Sequence, residues 1–261
     1  MTTIALMRPP STLAESVRLG EARGLSVLAA SMMSLEPMAD GRLTRFLSDS
    51  SAAQADFVVF TSSNGVSHAL ELASESGLSG NLRRIMDRAR IVAIGAKTKR
   101  ALEAQDIRVD LVPKTASSEG LVEMFTELGV KGARMVILRS AHGSEKLVSG
   151  LTALGAMVDD IPVYATGPPA DAAAAEGLVR RAAQGDIDVF CFTSSMMVRN
   201  FMEIAQSLGL ADQVLMRMGR AKVAAIGAPT VRTLEGYGVR AEIVPEEQTI
   251  EALLDEVVKR V

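Results

Sequence analysis

Two short polar turns, Thr61-Ser62-Ser63 and Thr193-Ser194-Ser195, each follow an apolar run of strand character and precede a stretch of helical character. The first N–H groups of a helix have no intrahelical acceptor, and with the helix dipole they favour an anion at that end. Hydroxyls at Ser62, Ser63, Ser194 and Ser195 would add donors. A second pair of turns, Gly95-Ala96-Lys97-Thr98 and Gly227-Ala228-Pro229-Thr230, has the same strand-to-helix placement. Glycine there permits close backbone approach, and Pro229 suits a first helical turn, where its missing N–H costs nothing. Serine and threonine at such places are also good helix caps, so capping and anion binding both stand open for each of them. Lys97-Thr98 lacks the glycine spacing of G-x-x-x-x-G-K-[ST], which sets aside a nucleotide phosphate loop.

Arg8 and Arg139 close two equivalent apolar runs, where a guanidinium could hold a carboxylate through two parallel N–H donors; a surface ion pair is the other reading. Lys146 and Lys222 could add positive charge, although isolated lysines are usually solvated. The only histidines, His68 in a helical stretch and His142 in a loop after a strand, are too few for a metal set, so no metal is expected. Cys191 is the single cysteine and lies within a strand, which rules out an internal disulfide and fits an inert core thiol in a reducing compartment. No Ser-His-Asp order, H-E-x-x-H or G-x-S-x-G occurs. The chemistry on offer is recognition of anions, not nucleophilic or metal catalysis.

These residues sit in a duplicated frame. Sliding the chain by 132 positions lays Phe60 to Ser63 on Phe192 to Ser195 and Ala93 to Ala96 on Ala225 to Ala228; an offset of 131 pairs Arg8 with Arg139, Gly24 with Gly155 and Pro37 with Pro168. A repeat of this length is a domain and not a solenoid unit. Short apolar runs alternate with amphipathic stretches, which predicts an α/β class with parallel sheets covered by helices. Strands are expected at 4–7, 26–30, 57–60, 91–94, 110–112, 135–138, 157–161, 189–192, 223–226 and 242–244, giving two five-stranded, flavodoxin-like, doubly wound domains. The segments from Ser34 to Gly41 and from Ala165 to Ala170 carry Pro/Gly punctuation at matching repeat positions. An interleaved division is therefore expected: residues 1–36 plus 168–261 as one domain and 37–167 as the other, with a two-stranded linker between them and a cleft that can hinge.

Composition removes several classes. A net charge of -3, no Trp and only 3% aromatic residues leave neither a basic footprint nor stacking platforms, so nucleic acid is not an expected partner. No apolar run reaches the roughly 18 to 20 residues that a bilayer requires, and the first residues carry no basic signal-peptide region, so neither membrane nor secretion is expected. A cytoplasmic, soluble monomer is the expectation.

Taken together, Phe60 to Ser62, the Ile-Gly-x-x-Thr turns at 94–98 and 226–230, Arg8-Pro9, Leu138-Arg139-Ser140 and Val163-Tyr164 resemble, in order and spacing, the uroporphyrinogen-III synthase family over nearly the whole chain. The resemblance implies a cofactor-free enzyme that closes the linear tetrapyrrole hydroxymethylbilane with loss of water and inversion of ring D, through an azafulvene and a spiro intermediate. It further implies that Tyr164 assists loss of the hydroxyl. Arg8, Ser62, Thr98, Arg139, Ser195, Lys222 and Thr230 would bind the eight substrate carboxylates. Uncatalysed closure gives the uninverted isomer, so the protein's part is to bias the conformation of a reactive cation. A non-catalytic tetrapyrrole-binding or small-anion-binding regulatory module of the same fold is the alternative.

Overall fold

The computed structural model describes residues 1–49 and 54–261. Its elements are β1 (Thr3–Met7), α1 (Pro10–Glu21), β2 (Ser26–Ala30), β3 (Ser34–Pro37), α2 (Arg42–Ser48), β4 (Phe57–Phe60), α3 (Ser63–Glu75), α4 (Ser79–Arg88), β5 (Arg90–Ala93), α5 (Ala96–Glu103) and α6 (Ser118–Leu128). They continue with β6 (Arg134–Ser140), α7 (Glu145–Ala153), β7 (Met157–Gly167), α8 (Ala172–Gln184), β8 (Val189–Phe192), α9 (Ser195–Ser207), α10 (Ala211–Met218), β9 (Lys222–Ala225), α11 (Ala228–Glu235) and α12 (Ile250–Arg260). The chain divides into two compact units, Met1–Ser34 with Gly167–Val261 and Leu35–Thr166. The chain passes between them within β3 and at the end of β7, so strand backbone carries both crossings.

The first unit holds a sheet of order β2-β1-β8-β9, to which Ile243 adds a single parallel bridge against Ala224. Counted along that unit, the order is 2-1-3-4 with a fifth position at the edge, the flavodoxin-like arrangement. The second unit holds β3-β7-β6-β4-β5, with Leu111 bridging Val92. Register is the same in both: Thr3 faces Ser26 as Arg134 faces Met157, and Val189 faces Lys222 as Phe57 faces Arg90. Duplication therefore extends from residue identities to the pairing of every equivalent strand.

The central strands are apolar on both faces because helices cover both. Along β4, Val58 and Phe60 point into a core with Val66, Ala69, Leu82, Ile85 and Leu102, while Phe57 and Val59 point into another with Leu121, Phe125, Leu147 and Leu151. In the first unit Ile4, Leu6 and Val189 pack against Leu253, Leu254 and Val257 of α12. Phe190 and Phe192 meet Phe201 of α9 edge to face. Cys191 is fully buried and burial pushes its thiol up to about 12, which makes it unreactive.

Two expected strands are absent as strands. Residues 110–112 and 242–244 reduce to one bridge each; at the edge of the second sheet the Asp110 carboxylate itself accepts the Ile91 N–H at 2.6 Å and ends the ladder there. Conversely, part of the Pro-punctuated segment after residue 33 forms β3, and β7 runs six residues beyond the expected end at Ile161.

Candidate functional site

In a parallel sheet the helices that follow the strands all begin at its carboxyl edge, so the turns singled out in sequence gather there. Ser62 is the N-cap of α3, its Oγ accepting the Gly65 N–H at 2.9 Å. Its repeat equivalent Ser194 caps α9 through the Met197 N–H at 3.2 Å. A third pair of turns does the same: Ser117 caps α6 and Thr249 caps α12. That pair was not among the expected turns, although both are serine or threonine at N-cap position and lie 132 residues apart.

Thr98 and Thr230 behave differently. No side chain caps α5 or α11, whose N-cap positions are Gly95 and Gly227. The capping reading is thereby removed for both threonines. Each is the third residue of its helix and is buried, to 3% and 2% exposure, and neither hydroxyl has a hydrogen-bond partner among the described residues. Crowding demands glycine at the first turn, where a Cβ on Gly95 would meet the Ala116 Cβ at 2.9 Å, whereas one on Gly227 would meet only the flexible end of the Gln248 side chain at 2.8 Å. The open N–H groups and a spare hydroxyl at each turn suit a carboxylate.

The two arginines, equivalent in the repeat, have different surroundings. Arg139 is buried and grips Asp160 with Nε at 2.6 Å and a terminal nitrogen at 2.7 Å, while the other donates to the Ser144 carbonyl at 2.9 Å. These bonds to Asp160 raise its already high pKa further. Its bidentate partner is thus a carboxylate of the chain itself. At the position equivalent to Asp160 the first unit has Ala29, and Arg8 forms no ion pair among the described residues; its Nε donates to Ser16 Oγ at 3.0 Å. Burial lowers the pKa of Arg8, against the attraction of Glu251 and Glu15. Arg8 is the guanidinium left with donors to offer.

Two of the expected ligands, Ser195 and Lys222, have protein partners in the structure. Repeat alignment and capping geometry make Ser194, not Ser195, the counterpart of Ser62; the Ser195 hydroxyl donates to the Pro229 carbonyl at 2.9 Å and ties the start of α9 to that of α11. Lys222 opens β9 and faces Val189, the first residue of β8, so it lies at the amino edge, about 10 Å of strand away from the turns. Its Nζ donates to the Arg260 carbonyl. We expect Lys222→Ala to leave turnover unchanged in a steady-state assay, whereas Ser194→Ala should cost about 1 kcal/mol of stability in urea unfolding, as a lost cap.

Tyr164 and Ser62, 102 residues apart, are brought together: Tyr164 Oη lies 3.0 Å from Ser62 Oγ. A bulge makes the meeting possible. Between β6 and β7 the register slips, Arg139 facing Pro162 but Ser140 facing Tyr164, so Val163 is extra. Val163 and Tyr164 consequently both join the core against α3, where strict alternation would send them to opposite faces. His68 of α3 stacks on the Tyr164 ring with centroids 5.2 Å apart and 28° between planes. His142 lies on the same unit, its Nδ1 3.1 Å from Thr166 Oγ1, and Lys146 is paired with Glu119 at 3.0 Å. Among the described residues no group of three or more His, Cys, Asp or Glu could hold a metal ion, and no helix is long and apolar enough to cross a membrane.

Comparison with known proteins agrees over the whole chain. The family described as uroporphyrinogen-III synthase HemD matches residues 14–255. A protein of Methanothermobacter thermautotrophicus, provisionally assigned as a uroporphyrinogen-III synthase, is 32% identical over 251 residues, 96% of this chain and 95% of its own. The uroporphyrinogen-III synthase of Chlorobaculum parvum is 26% identical over 255 residues, 94% of each chain. In fold, the crystal structure of a mutant uroporphyrinogen III synthase from Thermus thermophilus superimposes with a TM-score of 0.68 at 21% identity, covering 99% of this chain and 98% of that one. With a family match across nearly all of its length, the chain belongs to the uroporphyrinogen-III synthase family.

Proposed function

We propose that the protein cyclises hydroxymethylbilane to uroporphyrinogen III, with Tyr164 as the acid that assists departure of the terminal hydroxyl. The observation that carries this is the Ser62–Tyr164 hydroxyl pair at the carboxyl end of β4, beside the open first turn of α3. Ser62 Oγ already accepts the Gly65 N–H and retains its own proton. If that proton goes to Tyr164 Oη, the phenolic O–H is left pointing elsewhere, ready to give its proton to a leaving hydroxyl. The C–O bond then breaks with loss of water, the pyrrole nitrogen's lone pair stabilises the cation, and the proton shed when the ring closes restores the phenol. No external acid or oxidant is consumed.

Carboxylate recognition falls to Arg8, Thr98 and Thr230 and to the N–H groups of the helix starts at Ser62 and Ser195. The reading takes the protein as a cofactor-free monomer acting on a small polyanion, and its single buried cysteine fits a reducing cytoplasm. The test is isomer analysis: fresh hydroxymethylbilane is supplied, the product oxidised, and the uroporphyrins separated. Isomer III should dominate; isomer I alone at high protein concentration overturns the proposal. Within it, Thr230→Val, which removes a hydroxyl at nearly constant volume, should raise KM by about 5- to 150-fold, the equivalent of about 1 to 3 kcal/mol, with kcat little changed. An unaltered KM removes Thr230 from the binding set.

A further inference from the structure

The two units supply an internal control for the surroundings of Tyr164. At positions equivalent in the repeat, the second unit has Ser62, His68 and Tyr164, and the first has Ser194, Asn200 and Met33. The two serines cap equivalent helices, α3 and α9. In the first unit the helix is tied to the crossing segment by an ordinary hydrogen bond, Asn200 Nδ2 to the Met32 carbonyl at 2.9 Å, and Met33 is simply buried. Helix-to-segment packing in this fold therefore needs neither a histidine nor a tyrosine. In the second unit the same contact is made by two stacked rings.

His68 is not placed there for a hydrogen bond. Its Nδ1 is buried without one; Glu71 Oε2 lies 3.3 Å away, close enough for attraction but not aligned to accept. What His68 presents to Tyr164 is its flat face. The phenol is a ring on a bulged strand, held at its far end by a single contact to Ser62, and rotation about χ2 is broad for aromatic side chains. Oη lies on the χ2 axis and does not move with that rotation, but the phenolic O–H prefers the plane of its ring, so a stacked plane fixes the direction in which the proton points.

We propose that His68 is a positioning residue for Tyr164, holding the phenol in the plane from which its proton is delivered. This rests on the reading of Tyr164 as the acid. The test is a set of variants around His68→Asn, which installs the residue that the equivalent helix already carries. The expected result is a fall in kcat of about tenfold with KM unchanged, since a misdirected proton donor loses part of the rate that alignment supplies. His68→Phe, which restores a plane without a nitrogen, should recover most of the loss. In a Tyr164→Phe background His68→Asn should have no further effect, because the group it positions is gone.

A drop of the same factor in the Tyr164→Phe background, or a His68→Phe variant no better than His68→Asn, overturns the proposal while leaving Tyr164 in place. Wild-type turnover in Tyr164→Phe alone removes the acid reading and the proposal with it. A measurement independent of activity exists, since the chain has no Trp and two Tyr. The near-ultraviolet dichroism lost in Tyr164→Phe isolates the Tyr164 band, which should collapse in His68→Asn and persist in His68→Phe. A band unchanged in His68→Asn shows that the stack does not hold the ring, and the proposal fails.

Discussion

Tyr164→Phe should lower kcat by about a hundredfold, within the range of about 10² to 10⁴ that a positioned general acid contributes, while KM changes less than twofold. Only an oxygen is removed. The ring keeps its place among Val66, Val163 and Phe60 in the core, and the lost contact to Ser62 Oγ costs about 1 kcal/mol of stability. Initial rates on fresh substrate, with unfolding followed in parallel, separate the two effects. Unchanged turnover takes Tyr164 out of the mechanism. Ser62→Ala gives an internal comparison with Ser194→Ala. Both lose a helix cap of similar geometry and should lose similar stability, but only Ser62 also faces a phenol, so only Ser62→Ala should reduce kcat.

How far the sequence alone reaches can be judged from these same residues. The carboxyl-edge turns were legible because three independent signals coincide at Ser62 and Ser194: an apolar run, a capping residue and a repeat. The structure sets Lys222 at the opposite edge from Thr230, and that information was local, since the lysine immediately precedes the apolar run from Val223. The expected Ser62 and Ser195 are not equivalent in the repeat, whose offset of 132 pairs Ser62 with Ser194. The meeting of Tyr164 with Ser62 and His68 was not legible. It depends on a bulge at Val163 that breaks strand alternation, and no composition or periodicity around Val163-Tyr164 announces an extra residue. Only the family resemblance drew attention to Tyr164, and nothing drew attention to its stacking partner. Arg139 shows a further limit: its type and position are those of Arg8, and the difference lies in Asp160 against Ala29 on the neighbouring strand, visible once register is known.

That difference leads to the largest expected effect on stability. Asp160→Asn keeps the shape of the side chain but removes the charge that Arg139 grips with two N–H donors, leaving a guanidinium side chain at 8% exposure with only the weaker attraction of Glu145. Breaking a buried pair from one side costs about 3 to 5 kcal/mol; Asp160 itself retains 29% exposure, so solvent screens part of the loss and about 3 kcal/mol is expected. The urea midpoint of the unit should fall by about 1 to 2 M at an unchanged slope. Arg139→Leu should cost less than Asp160→Asn, because it removes the buried charge instead of stranding it and leaves Asp160 partly in water. The comparison also decides what Arg139 does. If it serves only to clamp β6 to β7, both variants assayed well below their unfolding midpoints should show an unchanged KM. A KM that rises tenfold or more in Arg139→Leu, with Asp160→Asn unaffected, would return Arg139 to the carboxylate-binding set and make its pairing with Asp160 a resting arrangement that substrate displaces.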